Sequence, residues 1–149
     1  MEKIRKWIFN YKTLYLVFTV LTVIASIQRY FPAHDFNGDF SYYNNFILFK
    51  YSVIHLLEHK NMYVPYEAEG AWDLYKYSPT FPVFMLPVAY IPDLPGLILW
   101  NLANTLLVFL AIKKLPIISD QNKYLIMLFI LPELILSVQI SQSNGLMAA

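Results

Sequence analysis

Three groups of residues have the types and spacing to do chemistry. The first is Asp35-Phe36-Asn37-Gly38-Asp39, two carboxylates four positions apart around an Asn-Gly turn. A carboxylate beside an apolar wall has its charged form disfavoured, which lifts it toward the working range of a general base. The alternation Asp35, Asn37, Asp39 also opens like a calcium loop. Such a loop needs Gly at its sixth position and Glu at its twelfth, and Phe40 and Phe46 stand there instead, so calcium is not expected. The second group is His55, Glu58 and His59. The two histidines are four apart and share a helix face. A zinc-protease pattern places Glu directly after the first His, where this chain has Leu56, so no metal is expected. The third group is scattered. Glu133 interrupts an apolar run, where an ionisable side chain is costly and marks a functional candidate. Tyr75-Lys76-Tyr77-Ser78-Pro79 sets a cation between two aromatic rings, suited to a phosphate and a sugar face or to anchoring at a membrane interface.

The elements that position these groups are apolar. Of 149 residues 58% are hydrophobic and only 14% charged, far below the roughly 25% charge of soluble domains. So short a chain has no soluble core able to hide that surface, whereas a bilayer accommodates it. Aromatic residues reach 17%, with 12 Tyr and 3 Trp, and such rings favour membrane–water boundaries. A net charge of +1 offers nucleic acid nothing to bind. The absence of Cys excludes disulfides, thiolate metal sites and a Cys nucleophile.

Residues 11–30 match the roughly 20 apolar positions a spanning helix needs. Lys3, Arg5, Lys6 and Lys12 precede the charge-free run 13–28, which predicts a cytoplasmic N-terminus and an outer face from Pro32 on. No small-residue cleavage site follows, so this reads as an uncleaved first span rather than a signal peptide. The outer loop, 32–77, carries all three His and Asp35, Asp39, Glu58, Glu67, Glu69 and Asp73 among the 10 acidic residues. Within it, 44–60 has helical periodicity, with Phe46, Phe49, Val53, Leu56 and Leu57 on one face and Asn45, Lys50, Ser52 and His59 on the other. That pattern predicts an amphipathic helix lying on the membrane surface. Residues 78–91 are apolar but short and broken by Pro79, Pro82 and Pro87. Fourteen helical residues reach about 20 Å against a hydrocarbon core of about 30 Å, so a re-entrant or broken segment packed against protein is expected. Residues 97–112 and 124–138 read as further spans. With 78–91 not crossing, Lys113, Lys114 and Lys123 fall on the cytoplasmic side. The fold expected is an all-α polytopic bundle forming one domain over 1–149. The apolar ending Leu146-Met147-Ala148-Ala149 reads as a chain cut from a longer polypeptide.

The ordered set of motifs resembles a known family. Asp39-Phe40-Ser41-Tyr42-Tyr43-Asn44-Asn45 is followed by Asn61-Met62-Tyr63, then Tyr77-Ser78-Pro79-Thr80-Phe81. Pro95-Gly96-Leu97-Ile98-Leu99-Trp100-Asn101-Leu102 and Gln142-Ser143-Asn144-Gly145-Leu146 complete it. The series, from about Tyr15 to the last residue, looks like the N-terminal part of glycosyltransferase family 87, membrane mannosyltransferase-like enzymes of the GT-C superfamily. The resemblance implies a GT-C-like bundle and an inverting transfer of a hexose or pentose from a polyprenyl-phosphate donor to a lipid or glycan hydroxyl in the cell membrane, with no cofactor. It places the general base on Asp39, with Asp35 in reserve. Tyr42, Lys76 and Tyr77 would meet donor and phosphate, and Gln142 and Asn144 would line the same cavity. Members run to several hundred residues, so this piece alone is expected to be inactive. A transporter or lipid-binding membrane subunit is the competing expectation, since broken helices beside a polar site and Glu133 within the bilayer occur there too.

Overall fold

The computed structural model describes residues 10–31, 41–71 and 73–149. Asp35 and Asp39, the expected bases, lie outside the described residues. Among those described, the chain is helical or irregular, with no strand. Helix α1 spans Tyr11–Tyr30, α2 Asn44–Leu57, α3 Asp93–Lys114, α4 Asp120–Gln139 and α5 Asn144–Ala148. Two 3-10 turns, Glu67–Glu69 and Phe81–Met85, lie between α2 and α3.

Helices α1, α3 and α4 have 20, 22 and 20 residues and are apolar enough to cross a membrane. At 1.5 Å per residue each is about 30 Å long, the thickness of a hydrocarbon core. The two later helices outrun the expected 97–112 and 124–138 because the charges in their end turns do not oppose the helix dipole. The Asn10 side chain accepts from the Lys12 N–H at the start of α1, and Ser119 accepts from the Asn122 N–H at the start of α4. Asp93 and Asp120 occupy first turns, and Lys113 and Lys114 close α3, all with the sign the helix dipole favours.

Side-chain contacts fix the directions. Near the start of α1, the Tyr11 hydroxyl donates to Asp120 Oδ1 at 2.9 Å, and the Lys113 ammonium sits 5.2 Å from the Tyr11 ring centre. Near its end, Arg29 Nε donates to the Gln139 carbonyl at 3.0 Å. Helices α1 and α4 therefore run parallel, and α3 runs against both. One end of the bundle gathers Lys12, Lys113, Lys114 and Lys123. The other receives the connection from 31 to 92, which leaves and returns at the same end. Residues 78–91 make no helix of spanning length, only a five-residue 3-10 turn followed by turns.

Two apolar clusters result. Leu14, Phe18, Phe109, Ile112, Tyr124, Met127 and Leu134 join the three long helices toward the lysine end. Phe46, Phe49, Val53, Phe81, Met85, Leu97 and Trp100 join α2 and the 3-10 segment to the start of α3 at the loop end. Helix α2 departs from the expected two-faced pattern. Lys50, Ser52 and His55 are buried, as are Phe46 and Phe49, while Leu57 is half exposed. Its polar side chains have partners within the protein, so no solvated face remains along its middle.

Candidate functional site

The loop end of the bundle is assembled by polar side chains that cross between elements. Lys50 reaches from α2 to the first turn of α3, where its ammonium lies 2.7 Å from Asp93 Oδ1 and donates to the Ile91 carbonyl at 2.8 Å. The pair is mostly buried, with the Lys50 side chain 10% and the Asp93 side chain 33% exposed. Beside it, burial pushes the Tyr43 hydroxyl up to about 12, and the Asp93 charge adds to the rise, so Tyr43 remains a proton donor across the physiological range. The Tyr43 ring stacks on Tyr30 at the end of α1, 5.3 Å between centres.

A second set surrounds Arg29. Its guanidinium lies 5.4 Å from the centre of the Tyr42 ring while Nε holds the Gln139 carbonyl. Asn45 donates to the next carbonyl, Ile140, at 2.7 Å. Helix α4 ends there in a left-handed turn. Ser141 has φ 53°, its N–H bonds the Val138 carbonyl, and the Gln142 N–H bonds the Ser137 carbonyl, both at 3.0 Å. This cap turns the chain so that Trp100 Nε1 donates to the Ser141 carbonyl and the Leu146 N–H reaches Asn104 Oδ1 at 2.9 Å. Gly145 is required by the close approach, since a Cβ there would stand 2.4 Å from the Asn104 carbonyl oxygen.

The third set is a polar seam through the bundle. Asn101 donates to Ser26 Oγ at 2.9 Å and to the Val138 carbonyl at 3.2 Å, joining α1, α3 and α4. Ser26 passes its own proton to the Thr22 carbonyl, and Thr22 meets Thr105 at 3.0 Å. Asn101 Oδ1 is buried with no hydrogen-bond partner among the described residues.

The expected site residues divide among these places. Tyr42 lies under Arg29. Lys76 is an exposed partner of Asp73, both of whose carboxylate oxygens lie within 2.8 Å of it, and that ammonium with the Leu74 N–H holds Asp73 below the usual carboxylate range. Its charge is already matched, which weakens it as a phosphate ligand. Tyr77 stacks on Phe81 at 4.9 Å and abuts Phe49 at 5.1 Å. Glu133 and Asn144 meet along one mostly apolar cleft of about 130 Å³, lined also by Val108, Ile130 and Ser137. Gln142 is not among the residues that line that cleft. His55 and His59 also part company. His55 is buried, 2.7 Å from Glu69 and with its ring centre 3.9 Å from that of Tyr66. His59 has φ 57° and forms the left-handed cap of α2, with the Lys60 N–H on the His55 carbonyl. Among the described residues no group of three such side chains is placed to hold a metal.

Sequence reasoning missed the Lys50–Asp93 pair and the contacts of Arg29 with Tyr42 and Gln139. Lys50 carried a signal, because a lysine inside an otherwise apolar helix needs either water or a carboxylate, and Asp93 opens the next helix. Comparison with known proteins adds no relative: no family model matches the chain, and neither a curated protein nor a solved structure matches it.

Proposed function

We propose that this chain is part of a membrane glycosyltransferase that moves a hexose or pentose, mannose-like, from a polyprenyl-phosphate donor to a lipid or glycan hydroxyl with inversion. One observation carries the reading. The motifs on which the resemblance rests are far apart in sequence and meet at one end of the bundle. Tyr77 packs on Phe49, Phe49 packs on Trp100 at 5.7 Å, and Trp100 bonds the carbonyl of Ser141, next to Gln142. Tyr43 of the first motif joins the same apolar cluster. Tyr30 and Tyr43, which stand in sequence on either side of Asp35 and Asp39, stack at this same end.

In this reading the Asp39 carboxylate takes the acceptor hydroxyl proton as the oxygen attacks the anomeric carbon. The bond from that carbon to phosphate breaks, and polyprenyl phosphate leaves with the electron pair. Arg29 is the better placed cation for that phosphate. It makes no ion pair with a described residue, whereas Lys76 is matched by Asp73. Lysines at the opposite end give the orientation, with that end cytoplasmic and the loop end outside the cell membrane.

The test uses the full-length polypeptide with a panel of polyprenyl-phosphate sugars. Removing the general base lowers transfer on the order of 10²–10⁴-fold, so Asp39→Asn should fall by that factor with donor binding little changed. Asp35→Asn should cost much less. Wild-type rates in Asp39→Asn with a large loss in Asp35→Asn would move the base to Asp35. Full activity in the double variant would remove the loop from the chemistry. A transporter or lipid-binding subunit is the second reading, favoured by the exposed Glu133 beside its apolar cleft. It predicts lipid or solute binding with no transfer to any acceptor.

A further inference from the structure

The segment from Thr80 to Ile91 has two unlike sides. Phe81, Pro82, Met85, Val88 and Ala89 are buried against the protein. On the other side Val83 is 53% exposed, Phe84 58%, Leu86 44% and Tyr90 75%. An exposed apolar strip of that kind is unfavourable in water. Irregular backbone is in turn excluded from the hydrocarbon core unless its polar groups are satisfied. This backbone is unusually self-sufficient. Pro79, Pro82, Pro87 and Pro92 have no N–H to satisfy. The N–H groups of Phe81, Val83, Leu86, Val88 and Ile91 each close on the carbonyl three residues back, at 2.9 to 3.3 Å. The terminal carbonyl, Ile91, accepts from Lys50.

Its depth follows from its connection. The segment runs through Pro92 into α3, a helix of spanning length, and the Lys50–Asp93 ion pair stands at the join. Charged pairs belong at the headgroup level, so the segment lies beside the boundary between headgroups and acyl chains. We infer that residues 80–91 form a lipid-facing wedge, with Val83, Phe84, Leu86 and Tyr90 inserted among phospholipid chains at that boundary. The segment packs against protein on one side, as its prolines predict, and faces lipid on the other. The inference rests on the membrane placement of the bundle and is independent of sugar transfer.

These 149 residues contain no Cys, so within them an introduced thiol is the single labelling position. In the full-length polypeptide, F84C and Y90C would carry nitroxide labels after reconstitution in phosphatidylcholine–phosphatidylglycerol bilayers. References are L16C on α1, a residue 60% exposed within a span, and N61C in the polar loop. Collision with oxygen, which partitions into lipid, is compared with collision with a water-soluble nickel chelate. At positions 84 and 90 oxygen should dominate several-fold, with a depth between those of the two references. Nickel collision equal to that at position 61 would place the strip in water and overturn the wedge. Immobile labels reached by neither reagent would mean that protein covers the strip. A depth equal to that at position 16 would make the segment deeply inserted, also against the proposal.

Discussion

The two apolar clusters are both closely packed, yet they are held by different forces. The cluster toward the lysine end is made only of the three long helices, each contributing residues at helical spacing: Leu14 and Phe18, Phe109 and Ile112, Tyr124 and Met127. Pulled apart within a bilayer, those side chains would meet lipid as apolar as themselves, so packing rather than water release holds them. The loop-end cluster draws on α2, the Tyr-rich loop, the 3-10 segment and α3. Its separation would expose Phe46 and Phe49 of α2 to water, and the hydrophobic effect applies to them. The difference teaches that one chain follows two folding rules, with the change of rule falling near the Lys50–Asp93 pair.

Substitution pairs break the comparison most directly. Phe49 and Phe18 are 0% and 1% exposed. A buried Phe→Ala costs about 3–5 kcal/mol in a water-surrounded core, as a transfer contribution plus a cavity contribution. Phe49→Ala should lose both. Phe18→Ala should lose chiefly the cavity contribution, because the separated helix keeps its side chain in lipid. Reversible unfolding in mixed micelles measures the two. Equal losses would show that both clusters obey the same rule.

A smaller effect is expected at the join itself. Breaking a fully buried ion pair by removing one partner costs about 3–5 kcal/mol, and the partial exposure of Asp93 lowers the expected cost of Lys50→Met to about 2–3 kcal/mol. Adding Asp93→Asn should recover most of the loss, since the stranded carboxylate disappears. A single variant as stable as the parent would make the pair incidental to the fold.

The same divide explains what was legible in the sequence. The long helices were readable from length and hydropathy, because a helix surrounded by lipid answers to little else. The failure of 78–91 to form a spanning helix was readable from its prolines. Burial of Lys50, Ser52 and His55 was not, because helical periodicity treats a polar residue as facing water. Their partners, Asp93 and Glu69 among them, come from later elements that no local pattern relates to α2. At the candidate site, no local pattern relates Tyr77 to Trp100 through Phe49, or Arg29 to Tyr42 and Gln139. The shared cleft of Glu133 and Asn144 depends on the left-handed turn at Ser141, a conformation the residue type does not announce.

Asn101 tests the seam between the two regions. Its amide ties α1 to α4 through Ser26 and the Val138 carbonyl. Side-chain hydrogen bonds between membrane helices average about 0.6 kcal/mol and reach about 1.7 kcal/mol. Two bonds and a buried position put Asn101→Leu at about 1–2 kcal/mol of destabilisation. Ser26→Ala alone should cost less, and the double variant little more than Asn101→Leu, because both remove the same link. Full additivity in that cycle would mean the two side chains are not coupled.

The smallest expected change in stability, and the most informative change in function, concerns Glu133. It follows Pro132 within α4, is exposed, and opens onto the cleft it shares with Asn144. A carboxyl that joined helices would need a partner on a neighbouring one, and among the described residues Glu133 makes no hydrogen bond or ion pair. Glu133→Gln keeps size and hydrogen-bonding capacity while removing an ionisable group from a span, so stability should change by no more than about 0.5 kcal/mol. If the proposed transfer uses Glu133, activity in the full-length polypeptide should nevertheless fall while expression holds, since an ionisable side chain in an apolar span is a functional candidate. An equal fall in stability and activity would return Glu133 to a structural role with a partner among residues not described. Unchanged turnover in the Gln variant would remove it from the site altogether.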